Sequence, residues 1–301
     1  MGTFLEDKVI AVTGGGNGIG RAVALLCAQE GARVVVADYG VAMDGSDPSS
    51  EVADAVVNEI RASGGTALAV AGDVSKFQTA AEIVSAAVDA WGSIDGVVCV
   101  AGNLRERMIF NMSEDEFDSV IAVHLKGHFN LYRHASAIMR KQETGGSLVG
   151  FTSAAFVGST AQANYSAAKG GIISLTRSAA LSLHRYGVRA NCIAPVAKTR
   201  MSENVPFEIE TGEPSAVASM AAYLVSDASV DITGQTYTVV GPRISVWNQP
   251  QELRSMFAAD GGEWTPRDIA EWLPRTIKSE EHPMLGDLAA RMAQMEKTKQ
   301  A

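Results

Sequence analysis

Val9-Ile-Ala-Val-Thr-Gly-Gly-Gly-Asn-Gly-Ile-Gly20 is the stretch on which the reading of this chain turns. A short apolar run, Val9 to Val12, enters a turn in which five of the eight residues from Thr13 to Gly20 are glycine, and a helical pattern follows from Arg21 to Glu30. Strand, glycine turn and helix in that order let the backbone turn tightly and come close to a pyrophosphate. The amides and dipole at the helix N-terminus then attract the anion. A second apolar run, Arg33 to Asp38, ends in an acid eighteen residues after Gly20, close to the ~20 expected for a carboxylate that binds an adenosine ribose. Asp38 therefore reads as selecting NAD, because a carboxylate there accepts from both ribose hydroxyls and repels a 2′-phosphate. Asn17 agrees, since a lysine or arginine at that point of the turn would suit the extra phosphate.

The same alternation continues along the chain. Gly40 to Ser50 is a polar loop, a helix runs from about Ser50 to Ala62, and Thr66 to Ala71 is a third strand that ends in Gly72-Asp73-Val74. Asp73 is placed either to meet an adenine amine or to cap the next helix, Ser75 to Trp91. Ile94 to Ala101 is a fourth strand, closing on Gly102-Asn103. Ser113-Glu-Asp-Glu116 is a capping box that opens a long helix to about Arg140, interrupted at Gly127. Gly146 to Thr152, Val188 to Ile193 and Gln235 to Val240 complete seven strands, with a helix at Val217 to Ser226 between the last two. Strands apolar throughout, alternating with helices, predict an α/β fold of the Rossmann type: a doubly wound parallel sheet of seven strands with helices on both faces. Ligands of such sheets bind at the carboxyl ends of the strands. Gly14, Asp38, Asp73, Gly102, Ser153 and Pro195 all fall there.

Gln162-Ala-Asn-Tyr-Ser-Ala-Ala-Lys-Gly-Gly171 carries the candidate chemistry. Ala168, Ile172, Leu175, Ala179 and Leu183 recur by threes and fours, so this segment opens a helix that sets Tyr165 and Lys169 on one face, one turn apart. A free phenol titrates near pH ~10, and a fixed cation within about 4 to 6 Å favours its phenolate. Tyr165 could then exchange a proton with an alcohol or ketone.

Composition narrows the partners. With 47% hydrophobic and 20% charged residues and a mean hydropathy of +0.07, the chain reads as globular and soluble. No apolar run approaches the ~18 residues that a membrane helix needs. A net charge of −9 disfavours nucleic acid, whose binders carry basic patches, and leaves a small-molecule alcohol or ketone as the expected substrate. Cys27, Cys99 and Cys192 sit in apolar surroundings without metal-ligand spacing. Neither a disulfide framework nor a metal is expected, and the reducing cytoplasm is the predicted location. Phe4 and Leu5 are followed at once by Glu6, Asp7 and Lys8, which reads as no secretory leader.

Thr13-Gly14-xxx-Gly18-Ile19-Gly20 together with Tyr165-xxx-Lys169 resembles the short-chain dehydrogenase/reductase family over about residues 5 to 242. Within it, Val123-His-Leu-Lys-Gly127, Ala161-Gln-Ala-Asn-Tyr165 and Ile193-Ala-Pro195 with Arg200-Met201 are similar to the (3R)-hydroxyacyl-CoA dehydrogenase unit of type 2 multifunctional enzymes. The resemblance implies Tyr165 as acid/base, Ser153 as the carbonyl-polarising hydroxyl, Lys169 as the group that holds the nicotinamide ribose and depresses the tyrosine, and His124 where the family has a catalytic asparagine. That imidazole could relay a proton, or it could pack at a helix interface. Ser153 precedes Tyr165 by twelve residues where the family has thirteen, so Thr152 stays open as the alternative hydroxyl. For the cofactor the resemblance implies Thr13, Gly14, Asn17, Gly18, Ile19, Gly20, Asp38, Asp73, Val74, Ala101, Gly102, Tyr165, Lys169, Pro195 and Thr199. Pro195 would shape the nicotinamide wall and Thr199 would bond the carboxamide. Cys99-Val100-Ala101-Gly102 departs from the family's Asn-Asn-Ala-Gly and loses polar groups at the rim.

The expected function is transfer of hydride between NAD(H) and a secondary alcohol or ketone, with a 3-hydroxyacyl thioester or a hydroxysteroid as possible substrates and a homodimer or homotetramer as the assembly. A degenerate NAD-bound sensor or scaffold is the alternative. Arg105, Arg107, Lys198 and Arg200 follow rim strands and could receive a CoA phosphate. Residues 1–242 read as the catalytic domain and 243–301 as a partly helical extension, with Thr265-Pro-Arg-Asp268 opening a helix stopped at Pro274 and an apolar stripe at Leu285, Leu288, Met292 and Met295.

Overall fold

Val9–Thr13 (β1) is buried along its whole length and lies between two parallel neighbours. A strand covered on both faces has no use for alternation, which is why its sequence is apolar throughout. In the computed structural model, which describes residues 2–41, 48–197, 211–258 and 261–277, β1 is followed by helix α1 (Gly18–Gln29) and strand β2 (Arg33–Asp38). Helix α2 (Glu51–Ala62), β3 (Thr66–Ala71), α3 (Phe77–Trp91) and β4 (Gly96–Cys99) continue the alternation. Then come α4 (Glu114–Ile121), α5 (Gly127–Gln142), β5 (Gly146–Phe151), α6 (Ala163–Leu183) and β6 (Val188–Pro195). Helix α7 (Pro214–Val225), β7 (Thr236–Val240) and β8 (Arg243–Val246) close the sheet.

The strand order is β3-β2-β1-β4-β5-β6-β7-β8. Order reverses between β1 and β4, and such a switch point leaves a crevice at the strand ends. One face is closed by α1, α2 and α7, whose Val23, Val56 and Leu224 pack with Val12, Val36 and Val149. The other is closed by α3, α5 and α6, with Ile83, Leu131 and Ala180 against Val97 and Leu148. Each such fully buried Val, Leu or Ile contributes on the order of 1.5–3 kcal/mol, so both helical layers are anchored to the strands that carry the rim.

Three expectations are corrected. Among the described residues the sheet has eight strands, because Arg243–Val246 pairs antiparallel with β7 across a two-residue turn whose Gly241 takes φ +51°, the positive angle that tight hairpin turns use. Its Ile244 and Val246 are exposed, so this edge strand shows no buried run in the sequence. The long helix is not broken at Gly127. The capping box of Ser113 and Glu116 starts α4 as expected, but the backbone then slips into a π-helical stretch, Ala122–Lys126, before α5 begins. Pro274 does not end the C-terminal helix α8 (Pro266–Thr276), which passes through it; a proline one turn from the end forfeits few helical bonds.

Met1–Trp247 forms one compact unit and Asn248–Ala301 a second. Within the second, Thr265 caps α8 through reciprocal bonds with Asp268. The stripe at Leu285 to Met295 lies outside the described residues. Among the described residues no helix is long and apolar enough to cross a membrane, and no group of His, Cys, Asp or Glu gathers in a metal-binding arrangement.

Candidate active site

The glycine turn after β1 is shaped by contacts that leave no room for side chains. A Cβ on Gly20 would strike the carbonyl oxygen of Gly14, one on Gly16 would strike Val52 Cγ1, and one on Gly14 would lie 2.8 Å from the backbone nitrogen of Ala101. Asn17 caps α1 with its backbone in extended conformation and makes no side-chain capping bond, so the N–H groups of the first turn of α1 donate to no side chain of their own cap. Asp38 sits beneath the turn. Its Oδ2 accepts the Gly16 N–H at 2.8 Å and its Oδ1 the Gly40 N–H at 2.7 Å. Each carboxylate oxygen accepts more than one hydrogen bond, so both remain competent toward a further donor. At the end of β3, Asp73 accepts the backbone N–H and the hydroxyl of Ser75 at 2.9 and 2.8 Å, a local turn ahead of α3, whose N-cap is Lys76 and not Asp73. Val74 beside it is buried and its carbonyl receives Asn130 Nδ2 at 2.9 Å.

A continuous line of contacts runs from this turn to Tyr165. Gly14 abuts Ala101. Next to Ala101, Gly102 lies flat against the His124 imidazole, where any Cβ would collide with Cε1. His124 Nε2 then stands 2.8 Å from Asn103 O and 3.2 Å from Asn103 N. Nε2 thus faces both backbone groups of Asn103, and among the described residues the buried Nδ1 has no protein hydrogen-bond partner. Edge-on to this ring stands Tyr165, with centroids 5.2 Å apart and planes at 89°. Burial, then the Lys169 charge, push His124 well below its ordinary pKa. The rim braces lost with the family's asparagines are thus replaced by an imidazole bonded to the backbone of Asn103.

The end of β5 brings the remaining groups. Thr152, 2% exposed, donates Oγ1 to the carbonyl of Lys169 at 2.8 Å, so its hydroxyl is turned into the fold. Ser153 is partly open; its Oγ accepts the Ala155 N–H at 3.2 Å, and its side chain is close enough to Tyr165 to pull the tyrosine's pKa down. Lys169 Nζ donates to Phe151 O at 2.6 Å and stands 5.2 Å from the centroid of the Tyr165 ring.

The electrostatics differ from what the resemblance implied. Burial pushes Tyr165 up to about 12, with Ser153 pulling the other way, and the same burial brings Lys169 down to about 7. Lys169 Nζ lies over the ring, and burial is the larger influence on the phenol. One further expectation changes. Arg107 is engaged by Glu116, with Nη2 and Nε at 2.9 and 3.1 Å from one carboxylate oxygen, and that pairing brings Glu116 down to about 2; it is not held open for a phosphate. Thr199, Lys198, Arg200 and Met201 lie outside the described residues. Pro195 ends β6 beside Val239 of β7, on the same rim.

The family model described as enoyl-(acyl carrier protein) reductase matches residues 14–241. The chain belongs to the short-chain dehydrogenase/reductase family. A hydroxyacyl-CoA dehydrogenase, ChsB1, of Mycobacterium tuberculosis is 43% identical over 287 residues, 90% of this chain and 89% of that one. The peroxisomal multifunctional enzyme type 2 of Mus musculus is 38% identical over 225 residues, 74% of this chain and 30% of that much longer protein. A crystal structure of a short-chain dehydrogenase from Mycobacterium avium superposes with a TM-score of 0.83 at 42% identity, covering 92% of this chain and 97% of the other.

As a short-chain dehydrogenase/reductase, the chain is an oxidoreductase acting on CH–OH groups, and the family uses a nicotinamide dinucleotide. The residues fit one. The glycine turn has no space for side chains where a pyrophosphate would approach, and the Asp38 carboxylate is held against that turn by the Gly16 amide, where it could meet a ribose. Two residues of this short-chain dehydrogenase/reductase were not singled out from sequence. Asn164, fully buried, joins the start of α6 to the loop after β4 and to α4. His128 reaches from α5 to the end of β5. The signal for His128 was available: His124, His128 and Tyr132 stand four apart, a polar stripe on one face of a helix.

Proposed function

We propose that the protein is an NAD-dependent dehydrogenase of secondary alcohols, and that 3-hydroxyacyl thioesters are its substrates. The observation that carries the reading is the grouping of Tyr165, Ser153 and Lys169 at the end of the contact line that begins at the glycine turn. In it Tyr165 takes the proton from the substrate hydroxyl, and Ser153 donates a hydrogen bond to the same oxygen. Lys169 supplies positive charge beneath the ring, favouring the phenolate once its surroundings are hydrated by hydroxyl groups. His124, neutral and buried, keeps Asn103 and the edge of Tyr165 in register. Bound NAD supplies the hydride acceptor. Gly14, Gly18, Gly20, Asn17 and Ile19 would hold its pyrophosphate, Asp38 its adenosine ribose, and Pro195 and Thr199 its nicotinamide end.

Asp38 supports NAD over NADP because its carboxylate is fixed at the turn by two amides and would repel a 2′-phosphate. The likeness to proteins named hydroxyacyl-CoA dehydrogenase and peroxisomal multifunctional enzyme type 2 supports the thioester. Exposed Phe77, Phe117 and Phe129 on the α3, α4 and α5 layer support a symmetric dimer or tetramer, and three buried thiols are in keeping with the cytoplasm.

The test is NADH formation from a panel of 3-hydroxyacyl-CoAs, hydroxysteroids and cyclic alcohols, with Tyr165→Phe alongside. Loss of the acid/base should lower turnover by roughly 10²–10⁴. Equal traces for mutant and wild type on every substrate would overturn the reading.

A further inference from the structure

His128 stands one helical turn beyond His124 and is 2% exposed. The backbone N–H of Phe151, which can only donate, points at its Nε2 at 3.1 Å. Nε2 is therefore the acceptor, and the hydrogen resides on Nδ1, which donates to the carbonyl of His124 at 2.6 Å. Burial first, and the Lys169 charge second, take the His128 pKa down to about 3, so this ring keeps one neutral tautomer throughout the range in which enzymes work.

The other side of Phe151 carries the ammonium. Its carbonyl receives Lys169 Nζ at 2.6 Å, and the next residue, Thr152, returns a bond to the carbonyl of Lys169 at 2.8 Å. One position further stands Ser153, the neighbour that pulls the Tyr165 pKa down. The strand end is also seated directly on α5, since a Cβ at Gly150 would lie 2.6 Å from Tyr132 Oη and 3.3 Å from His128 Cδ2.

We propose that His128 is a positioning residue for the reaction: its imidazole ties the His124 turn to the end of β5 and so sets Lys169 and Ser153 against Tyr165. It touches no reacting atom and rests on the dehydrogenase reading above. Its effect runs through two bonds that meet opposite ends of the catalytic group. A displacement of about 1 Å at a reacting centre lowers rate by up to roughly 10²-fold, whereas a residue that only fills space affects stability and leaves the folded enzyme's turnover alone.

The experiment compares His128→Phe, His128→Gln and His128→Asn in the full chain. It measures initial rates with NAD and the 3-hydroxyacyl-CoA that the wild type turns over fastest, normalises them to NAD-binding sites, and records thermal unfolding. The Gln amide reaches the Nε2 position and can accept from Phe151, while the Asn amide reaches the Nδ1 position and can donate to His124 O. Phe does neither. We expect His128→Phe to lower kcat by about tenfold while KM for NAD changes less than threefold, with His128→Gln recovering part of the loss. Turnover within about threefold of wild type in every folded variant, with only Tm lowered, would overturn the proposal. Should His128→Phe not fold, the same threshold applied to the Gln and Asn variants decides. Tyr165→Phe runs in parallel. If it matches wild type, the dehydrogenase reading has failed; if it is inactive while the His128 variants are normal, only the present proposal has.

Discussion

Asn164 accepts the backbone N–H of Tyr165 on Oδ1 at 2.8 Å and donates Nδ2 to the carbonyls of Arg105 and Glu116 at 3.0 and 2.8 Å. One buried amide thus fastens the first turn of α6 to two segments that are far from it in the chain, and it does so at the residue that precedes the phenol.

Asn164→Ala removes a fully buried amide and takes from those part-buried carbonyls and the Tyr165 amide the partner it gave them. A buried unsatisfied group costs about 1–3 kcal/mol, so unfolding stability should fall by roughly 2 kcal/mol or more, with a loss of turnover as Tyr165 loses its seat. Urea titration and initial rates check both. A urea midpoint equal to that of wild type would show the network to be idle.

Asp38→Asn removes the charge at the adenosine end and keeps an oxygen for the Gly16 or Gly40 amide. Hydrogen bonds to charged groups contribute about 1.5–3 kcal/mol. The ratio of kcat/KM with NAD to that with NADP should therefore fall by roughly 10- to 100-fold. An unchanged ratio would move cofactor choice to another residue.

The Lys169 pKa of about 7 predicts a pH dependence of stability. Its folded value lies below the unfolded value of about 10.4, so between those limits the unfolded chain binds a proton that the folded chain does not. Stability from this group therefore rises with pH across that window and is flat below it. Lys169→Met should be the more stable protein near pH 7 and lose that lead toward pH 10, as measured by urea unfolding at each pH without cofactor. A lead that is constant with pH would mean that the amine stays charged in the fold.

Phe77 and Phe129 stack on each other with centroids 6.5 Å apart and remain 46% and 47% exposed. Phe129→Asp should shift the protein toward monomer in sedimentation velocity, whereas the same change at the exposed Leu181 on α6 tests whether any apolar surface would serve. Equal effects at both positions would deny the α5 face a special part.

Much of this was legible in the chain because the signals are local. The apolar strands, the glycines of the first turn and the four-residue spacing of Tyr165 and Lys169 each follow from backbone sterics within a few residues. The π stretch at Ala122–Lys126 was not, because apolar periodicity does not record a one-residue slip in backbone bonding. Nor did spacing alone choose between Thr152 and Ser153; that depends on which hydroxyl the fold buries, and the carbonyl that takes Thr152 comes from Lys169, seventeen residues away. β8 escaped notice because an edge strand buries little and carries no apolar run. The direction of the Tyr165 shift likewise depends on how much neighbouring chain excludes water, a property of packing and not of the pair.

Cys27, Cys99 and Cys192 are all free and buried. Burial raises each thiol, to about 12 for Cys27 and about 11 for Cys192, and only the thiolate attacks disulfide reagents. The native molecule should therefore ignore an aromatic disulfide such as Ellman's reagent, and all three sulfurs should become colourable together when the sheet opens. Cys27 lies on α1, Cys99 ends β4 and Cys192 sits in β6, so the kinetics of colour would act as a built-in stopwatch for global opening, requiring no added label. A single thiol that reacts early would mark the layer that comes loose first.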